Sequence, residues 1–197
     1  MTHPLYHLFL HDNLHAITSA ELAEALEALP AWRRERALKF RFEQGRKECA
    51  FAYLLLCKAL REVYGIAEQP RFVWGEHGKP MLEDYPDIHF NLSHCKEAVA
   101  CVVADRAVGV DVESIGRGND ALMRHVLNDA ECEQVERSAD PKVEFTRFWT
   151  QKEAFVKLTG RGIDDDLKNL LVKHQNVSLQ TEAYTEKGYV VTVAMEH

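Results

Sequence analysis

The run at 97–113, EAVACVVADRAVGVDVE, constrains the fold more than any other stretch. Residues 97–103 and 106–113 are each long enough for a strand, with a β-branched and apolar interior broken by Asp111 and Glu113. The reading is a hairpin turning near Ala104-Asp105.

The rest of the chain mixes strands and helices. Residues 4–11 alternate, with Tyr6, Leu8 and Leu10 on one face and His7, Phe9 and His11 on the other, which predicts a first strand. Ser19 opens a helix that Pro30 stops, and AWRRERALKF (31–40) continues helically. Residues 44–64 form a long helix with a wide apolar face, ending at Gly65. Strands follow at 71–74 and 87–94, separated by the turn residues of GEHGKP (75–80). Asn128 and Glu131 make a capping box, and 142–159 is a second long helix closed by Gly160. Alternation returns at 169–173, 176–181 and 188–195. Strands paired as hairpins beside helices, with no regular βαβ series, define an α+β class.

Bulk properties exclude some partners. The net charge is −7, from 31 acidic against 24 basic residues, so nucleic acid is not an expected partner. A local basic patch could still dock an acidic one. No run approaches the roughly 20 apolar residues of a membrane helix, so no membrane is expected. The opening MTHPLYHLFLHDNLH lacks a basic flank, which speaks against a signal peptide. Five cysteines without a CxxC pair point to a reducing, cytoplasmic setting. His3, His7, His11 and His15 recur every four residues, but Pro4 and the period of two make them surface histidines rather than a metal face. Trp32 and Trp74 read as core or cleft-wall packing. Cys95 stands beside His94 without a third group to orient a thiol nucleophile.

The chemistry concentrates in carboxylates. Within GVDVE, Val110 and Val112 can face the core while Asp111 and Glu113 share the other face, about 6.5–7 Å apart at Cα. Such a pair could converge on a hard cation or could line the polar face of an edge strand. In FWTQKEAFVK (148–157), Trp149, Glu153 and Lys157 share one helical face, and Phe148, Phe155 and Val156 supply a buried stripe. Glu before Lys at i,i+4 is also a common helix ion pair, worth about 0.2–0.5 kcal/mol. Two or three carboxylates around Mg²⁺ with a nearby lysine would equally suit phosphoryl transfer.

Four blocks occur together and in order: GKP (78–80), FNLSH (90–94), GVDVES (109–114) and FWTQKEAFVKLTGRG (148–162). In this the sequence resembles the 4′-phosphopantetheinyl transferases, specifically the Sfp-type branch, and the segment 36–60 is similar in character to that family's N-terminal helix. The resemblance implies two similar α+β halves related by a pseudo-twofold, here 1–105 and 106–197, with coenzyme A in the cleft between them. It implies attack of a carrier-protein serine on the β-phosphate of coenzyme A, releasing 3′,5′-ADP, by a monomer acting on an apo acyl, polyketide or peptidyl carrier protein. Asp111, Glu113 and Glu153 match the Mg²⁺ ligands, and Lys157 the lysine that contacts the phosphates. Glu153 would also take the serine proton, directly or through a water on the metal. Ser93 and His94 match phosphate-contacting positions, with His94 adding positive charge, and Gly78, Lys79 and Pro80 match the turn lining the adenine and 3′-phosphate end. Of the basic residues Arg41, Arg46 and Lys47, Lys47 is the choice for holding the 3′-phosphate. The chain departs from the family's SHSG turn with Ser93-His94-Cys95-Lys96. Other readings are a coenzyme A pyrophosphohydrolase using the same carboxylates on water, or a non-catalytic binder of coenzyme A or a carrier protein.

Overall fold

A computed structural model describes residues 4–75, 77–118, 120–160 and 167–196. The chain opens with strand β1 (His7–Asp12), then helices α1 (Ser19–Glu27), α2 (Ala31–Leu38) and α3 (Glu43–Tyr64). Short strands β2 (Phe72–Trp74) and β3 (Pro80–Leu82) precede β4 (His89–His94), β5 (Ala98–Ala104) and β6 (Val108–Ser114). Helices α4 (Asp120–Val126), α5 (Asp129–Arg137), α6 (Pro141–Thr159) and α7 (Leu170–Lys173) lead into β7 (Val177–Tyr184) and β8 (Tyr189–Glu196). The strands form three antiparallel sheets ordered β1-β5-β4, β2-β3 and β6-β8-β7. This is the α+β class that the pattern implied.

Burial explains the layering. Every residue of β5 is buried. Val99, Cys101 and Val103 pack with Leu56, Ala59 and Leu60 of α3, while Ala98, Ala100 and Val102 join Val108, Val110 and Val112 of β6 and Val191 and Val193 of β8. Behind the second sheet, Ala194 meets Ala154 and Leu158 of α6. The order is therefore α3, first sheet, second sheet, α6. Each valine buried on folding contributes about 1.5–3 kcal/mol, so an interior of this composition favours the sheet-on-sheet arrangement. The faces assigned to β1 hold: Tyr6, Leu8 and Leu10 pack on the inter-sheet cluster and Phe9 on the α3 cluster.

The structure corrects the hairpin. β5 pairs with β1 and β4, whereas β6 pairs with β8 in the other sheet. The link at 105–107 has no glycine or asparagine to supply the positive φ of a tight two-residue turn. Both edges of β5 are also already occupied. The hairpin lies one strand earlier, between β4 and β5, where Cys95 N donates to Ala98 O at 2.8 Å. A second correction falls at 169–173: Leu170–Lys173 is helical, because Leu167 and Leu170, three apart, both enter the core cluster under α6. Thr18 rather than Ser19 caps α1, in a capping box with Glu21, and the Asn128–Glu131 box is present as expected. His3 of the histidine series and residues 161–162 of the fourth block lie outside the described residues.

One glycine sets the spacing of the second half. A Cβ on Gly109 would lie 2.2 Å from Ala154 O and 2.5 Å from Leu158 N. These are backbone atoms of α6 and cannot swing aside, so only glycine lets that helix seat on β6. We expect Gly109→Ala to lose about 2–3 kcal/mol or more in chemical denaturation, as overpacking against backbone does. An unchanged midpoint would show that α6 can shift at no cost.

Candidate active site

The site grows from the edge where the two sheets meet. Along β4, Phe90 and Leu92 pack in the α3 cluster, which leaves the alternate residues Asn91 and Ser93 for the other side. Asn91 Oδ1 accepts from Val110 N at 3.0 Å and Ser93 Oγ from Val112 N at 3.2 Å. Side chains of the first sheet thus satisfy backbone donors of β6 that no strand covers. Gly109, Asp111 and Glu113 alternate with those valines and lie toward α6, the helix that Gly109 admits.

Asp111 is 2 % exposed, which rules out a solvated edge-strand face for it. Its Oδ1 accepts from Ser93 Oγ at 2.8 Å and from Lys157 Nζ at 2.6 Å, and Lys157 also donates to Ser93 Oγ at 2.8 Å. Its Oδ2 is buried without a hydrogen-bond partner. Glu113 accepts from Trp149 Nε1 at 3.2 Å and from Arg117 Nη1 at 3.0 Å. Glu153 projects from the helical turn before Lys157. Burial raises its carboxyl above the ordinary range, Asp111 and Glu113 push it further, and Lys157 opposes them. The i,i+4 Glu153–Lys157 spacing therefore serves a shared cluster: the lysine's contact is Asp111, on another element. His94 ends β4 with Nδ1 3.3 Å from Glu48 Oε2. Burial lowers its proton affinity, and Glu48 opposes that shift. Burial pushes the Cys95 thiol up to about 11, so it is not an activated nucleophile.

Could these residues hold a divalent cation? Among the described residues no three His, Cys, Asp or Glu side chains already converge as a finished metal cage. The donor set nevertheless fits a hard cation. An unpartnered buried carboxylate oxygen on Asp111 stands beside a desolvated Glu153 that feels Asp111 and Glu113 as like charges. A cation bound by oxygen would satisfy the first and relieve the second.

Other expected residues are placed differently. Ser93, 5 % exposed and fully engaged, braces Asp111 and Lys157 instead of presenting a free hydroxyl to a ligand. Lys79 donates to Val108 O, Lys157 O and Leu158 O at 3.2, 2.8 and 3.1 Å. It ties the β2–β3 turn to β6 and to the end of α6, and burial lowers its proton affinity. Lys47 is buried, with Nζ 2.6 Å from Ile17 O, so its ammonium anchors the segment before α1. Arg46 bonds Phe40 O and Arg41 lies over the Phe42 ring. A cleft of about 190 Å³ beside β4 is instead lined by Gly78 and Pro80 with Trp32, Trp74, Arg33 and Arg36. The sequence reading missed both arginines, although WRRER places them three apart on one helix face. It also missed Lys152, fully buried and donating to Glu131, Val126 O, Leu167 O and Lys168 O, which pins the segments flanking α6 one residue before Glu153.

A carboxylate cluster backed by lysine, and a cleft on the other face of β4 carrying two guanidiniums and two indoles, are groups of the class that can hold a cation, phosphate oxygens and an aromatic ring. Sequence comparison narrows that class. Residues 107–196 match the profile of the 4′-phosphopantetheinyl transferase superfamily, and residues 16–106 that of a 4′-phosphopantetheinyl transferase N-terminal domain. Among relatives, the 4′-phosphopantetheinyl transferase psf-1 of Bacillus pumilus is 31% identical over 144 residues, 72% of this chain and 62% of the relative. HetI of Nostoc sp. is 30% identical over 157 residues, 74% and 66% of the two chains, and Sfp of Bacillus subtilis (strain 168) is 25% identical over 154 residues, 76% and 69%. The chain belongs to the 4′-phosphopantetheinyl transferase superfamily, in its Sfp-type branch.

Lys79 offers a test of these placements. Lys79→Met should lose about 1.5–3 kcal/mol of stability, the range for hydrogen bonds to a charged group, with little change in the affinity for coenzyme A. Weakened coenzyme A binding at unchanged stability would return Lys79 to the ligand.

Proposed function

We propose that this transferase moves the 4′-phosphopantetheine arm of coenzyme A onto a serine of an apo acyl, polyketide or peptidyl carrier protein and releases 3′,5′-ADP. It works as a cytoplasmic monomer with Mg²⁺ held by Asp111, Glu113 and Glu153. The division into halves 1–105 and 106–197, with the reaction in the cleft between them, belongs to the same proposal. The observation that carries it is Asp111, with one oxygen held by Lys157 and Ser93 and the other buried and unpartnered beside Glu153.

A phosphate diester is already anionic, and attack adds charge to its oxygens, so the site must supply positive charge where that charge develops. When bound, Mg²⁺ supplies part of this by neutralising the diphosphate. Lys157 supplies another part: its ammonium reaches the cluster from α6 and can turn from Asp111 to a phosphate oxygen. Glu153 would take the proton of the incoming serine hydroxyl, directly or through a bound water. Trp149 and Arg117 fix Glu113 from two sides, so its carboxylate is oriented before substrate arrives. Arg33 and Arg36 are the cations for the 3′-phosphate end, with Trp32 and Trp74 flanking the cleft that would take the adenine.

The test is the mass of an apo acyl carrier protein incubated with this protein, coenzyme A and Mg²⁺. We expect a gain of one phosphopantetheine, abolished by EDTA and by Glu153→Gln in a folded protein. Coenzyme A cleaved with no gain on fatty acid, polyketide or peptidyl carriers would establish a hydrolase instead. Lys157→Ala should lower kcat far more than it raises the KM for coenzyme A; a change confined to KM would make Lys157 a docking residue.

A further inference from the structure

The last residue of β4 lies against a carboxylate of α3, the helix that packs on its sheet. His94 Nδ1 lies 3.3 Å from Glu48 Oε2, and Glu48 belongs to α3. The carboxylate is itself clamped. Its Oε1 accepts from Gln44 Nε2 at 2.9 Å, and Gln44 Nε2 also donates to Lys96 O at 3.1 Å, two residues beyond His94. One turn of α3 therefore sets a carboxylate beside the imidazole and bonds the turn that follows it. The side chain of Glu48 is 18 % exposed, whereas that of His94 is 49 % exposed. The holding group is sheltered and the held ring is open.

We propose that Glu48 is the positioning residue for His94: it fixes the Nδ1 edge of the ring and so commits Nε2 to a phosphate oxygen of coenzyme A. The proposal rests on the transferase reading. A histidine donates from both nitrogens only when protonated, and a carboxylate at one nitrogen favours that form. The charged groups that bear on the ring come from three elements: Glu48 of α3, Lys157 of α6, and Asp111 and Glu113 of β6. Burial first, then Lys157, disfavour the imidazolium and the three carboxylates favour it, with Glu48 the strongest of them. In the free protein the balance lowers the proton affinity of the ring, so the imidazolium is expected in the complex, where a phosphate adds its charge. Asp111 and Glu113 are engaged by Lys157, Trp149 and Arg117, so Glu48 is the carboxylate that meets the ring directly. Once a phosphate oxygen takes the Nε2 proton donor, the ring lies between two anions and its charge is stabilised from both edges.

The test compares the whole protein with Glu48→Gln, His94→Gln and the double variant. Glu48→Gln keeps the shape and a carbonyl acceptor but removes the charge. We expect it to raise the KM for coenzyme A about tenfold, with kcat within about twofold and the denaturation midpoint unchanged. In the His94→Gln background the same change should have no further effect, because the pair acts as one unit. In the coenzyme A complex, nitrogen NMR should show both ring nitrogens of His94 protonated near neutral pH, and the signature should be lost in Glu48→Gln. Additive effects of the two substitutions, or a loss of affinity that follows stability alone, would overturn the proposal and leave Glu48 a strut. The NMR signature and calorimetric affinity for coenzyme A need neither carrier nor turnover. A protein that shows both but transfers nothing would refute the transferase reading while the pairing stands.

Discussion

Two hydrogen bonds from backbone amides to side-chain oxygens hold the molecule's functional geometry together. A strand edge with uncovered amides must find acceptors or remain in water, since a buried unpaired donor costs about 1–3 kcal/mol. At β6 those acceptors are Asn91 and Ser93, presented by β4 from the other sheet. This fixes β6 against the first half without merging the two sheets. It also dictates where the acidic residues go. With the valines of β6 committed to the inter-sheet core, Asp111 and Glu113 must lie on the α6 side, and Gly109 allows that helix to close over them. Ser93 then acts twice, as backbone acceptor and as brace for Asp111 and Lys157.

The same arrangement gathers like charges, which water would otherwise keep apart. Lys157 offsets part of this at Asp111, and Trp149 and Arg117 at Glu113, while Glu153 is left with its proton affinity raised. Two lysines elsewhere have three or more acceptors each. Lys152 binds Glu131 and three carbonyls, and Lys79 binds three carbonyls. The contrast separates cations that hold the frame from the one that faces the cluster.

Much of this was legible in the sequence. Period-two and helical spacing located β1, β4, α3 and α6, and the blocks at 90–94, 109–114 and 148–157 hold residues that the fold brings together: Ser93, Asp111 and Lys157 bond one another, while Glu113 is held by Trp149 and Arg117. What failed was pairing between elements. Periodicity says that β5 and β6 are buried but not which strand lies beside each, so the hairpin fell one strand too late. Side-chain direction at charged positions failed for a related reason. Lys47, Lys79 and Lys152 resemble solvated lysines in one dimension, and only the folded chain shows which carbonyls surround each ammonium. Arg33 and Arg36 were passed over because the expectation centred on the following helix, although their spacing on α2 was visible.

The seam between β4 and β6 can be tested amide by amide. Backbone donors alternate along a strand, so Val110 and Val112 point away from β8 and depend on Asn91 and Ser93 for protection. Hydrogen exchange read at these two positions is the most direct measurement. Both should exchange as slowly as their neighbours Gly109 and Asp111, and Ser93→Ala should speed Val112 at least about tenfold while leaving the core of β5 protected. Exchange of Val110 and Val112 at the rate of an open strand edge in the unaltered protein would contradict the seam, and with it the way the site is assembled.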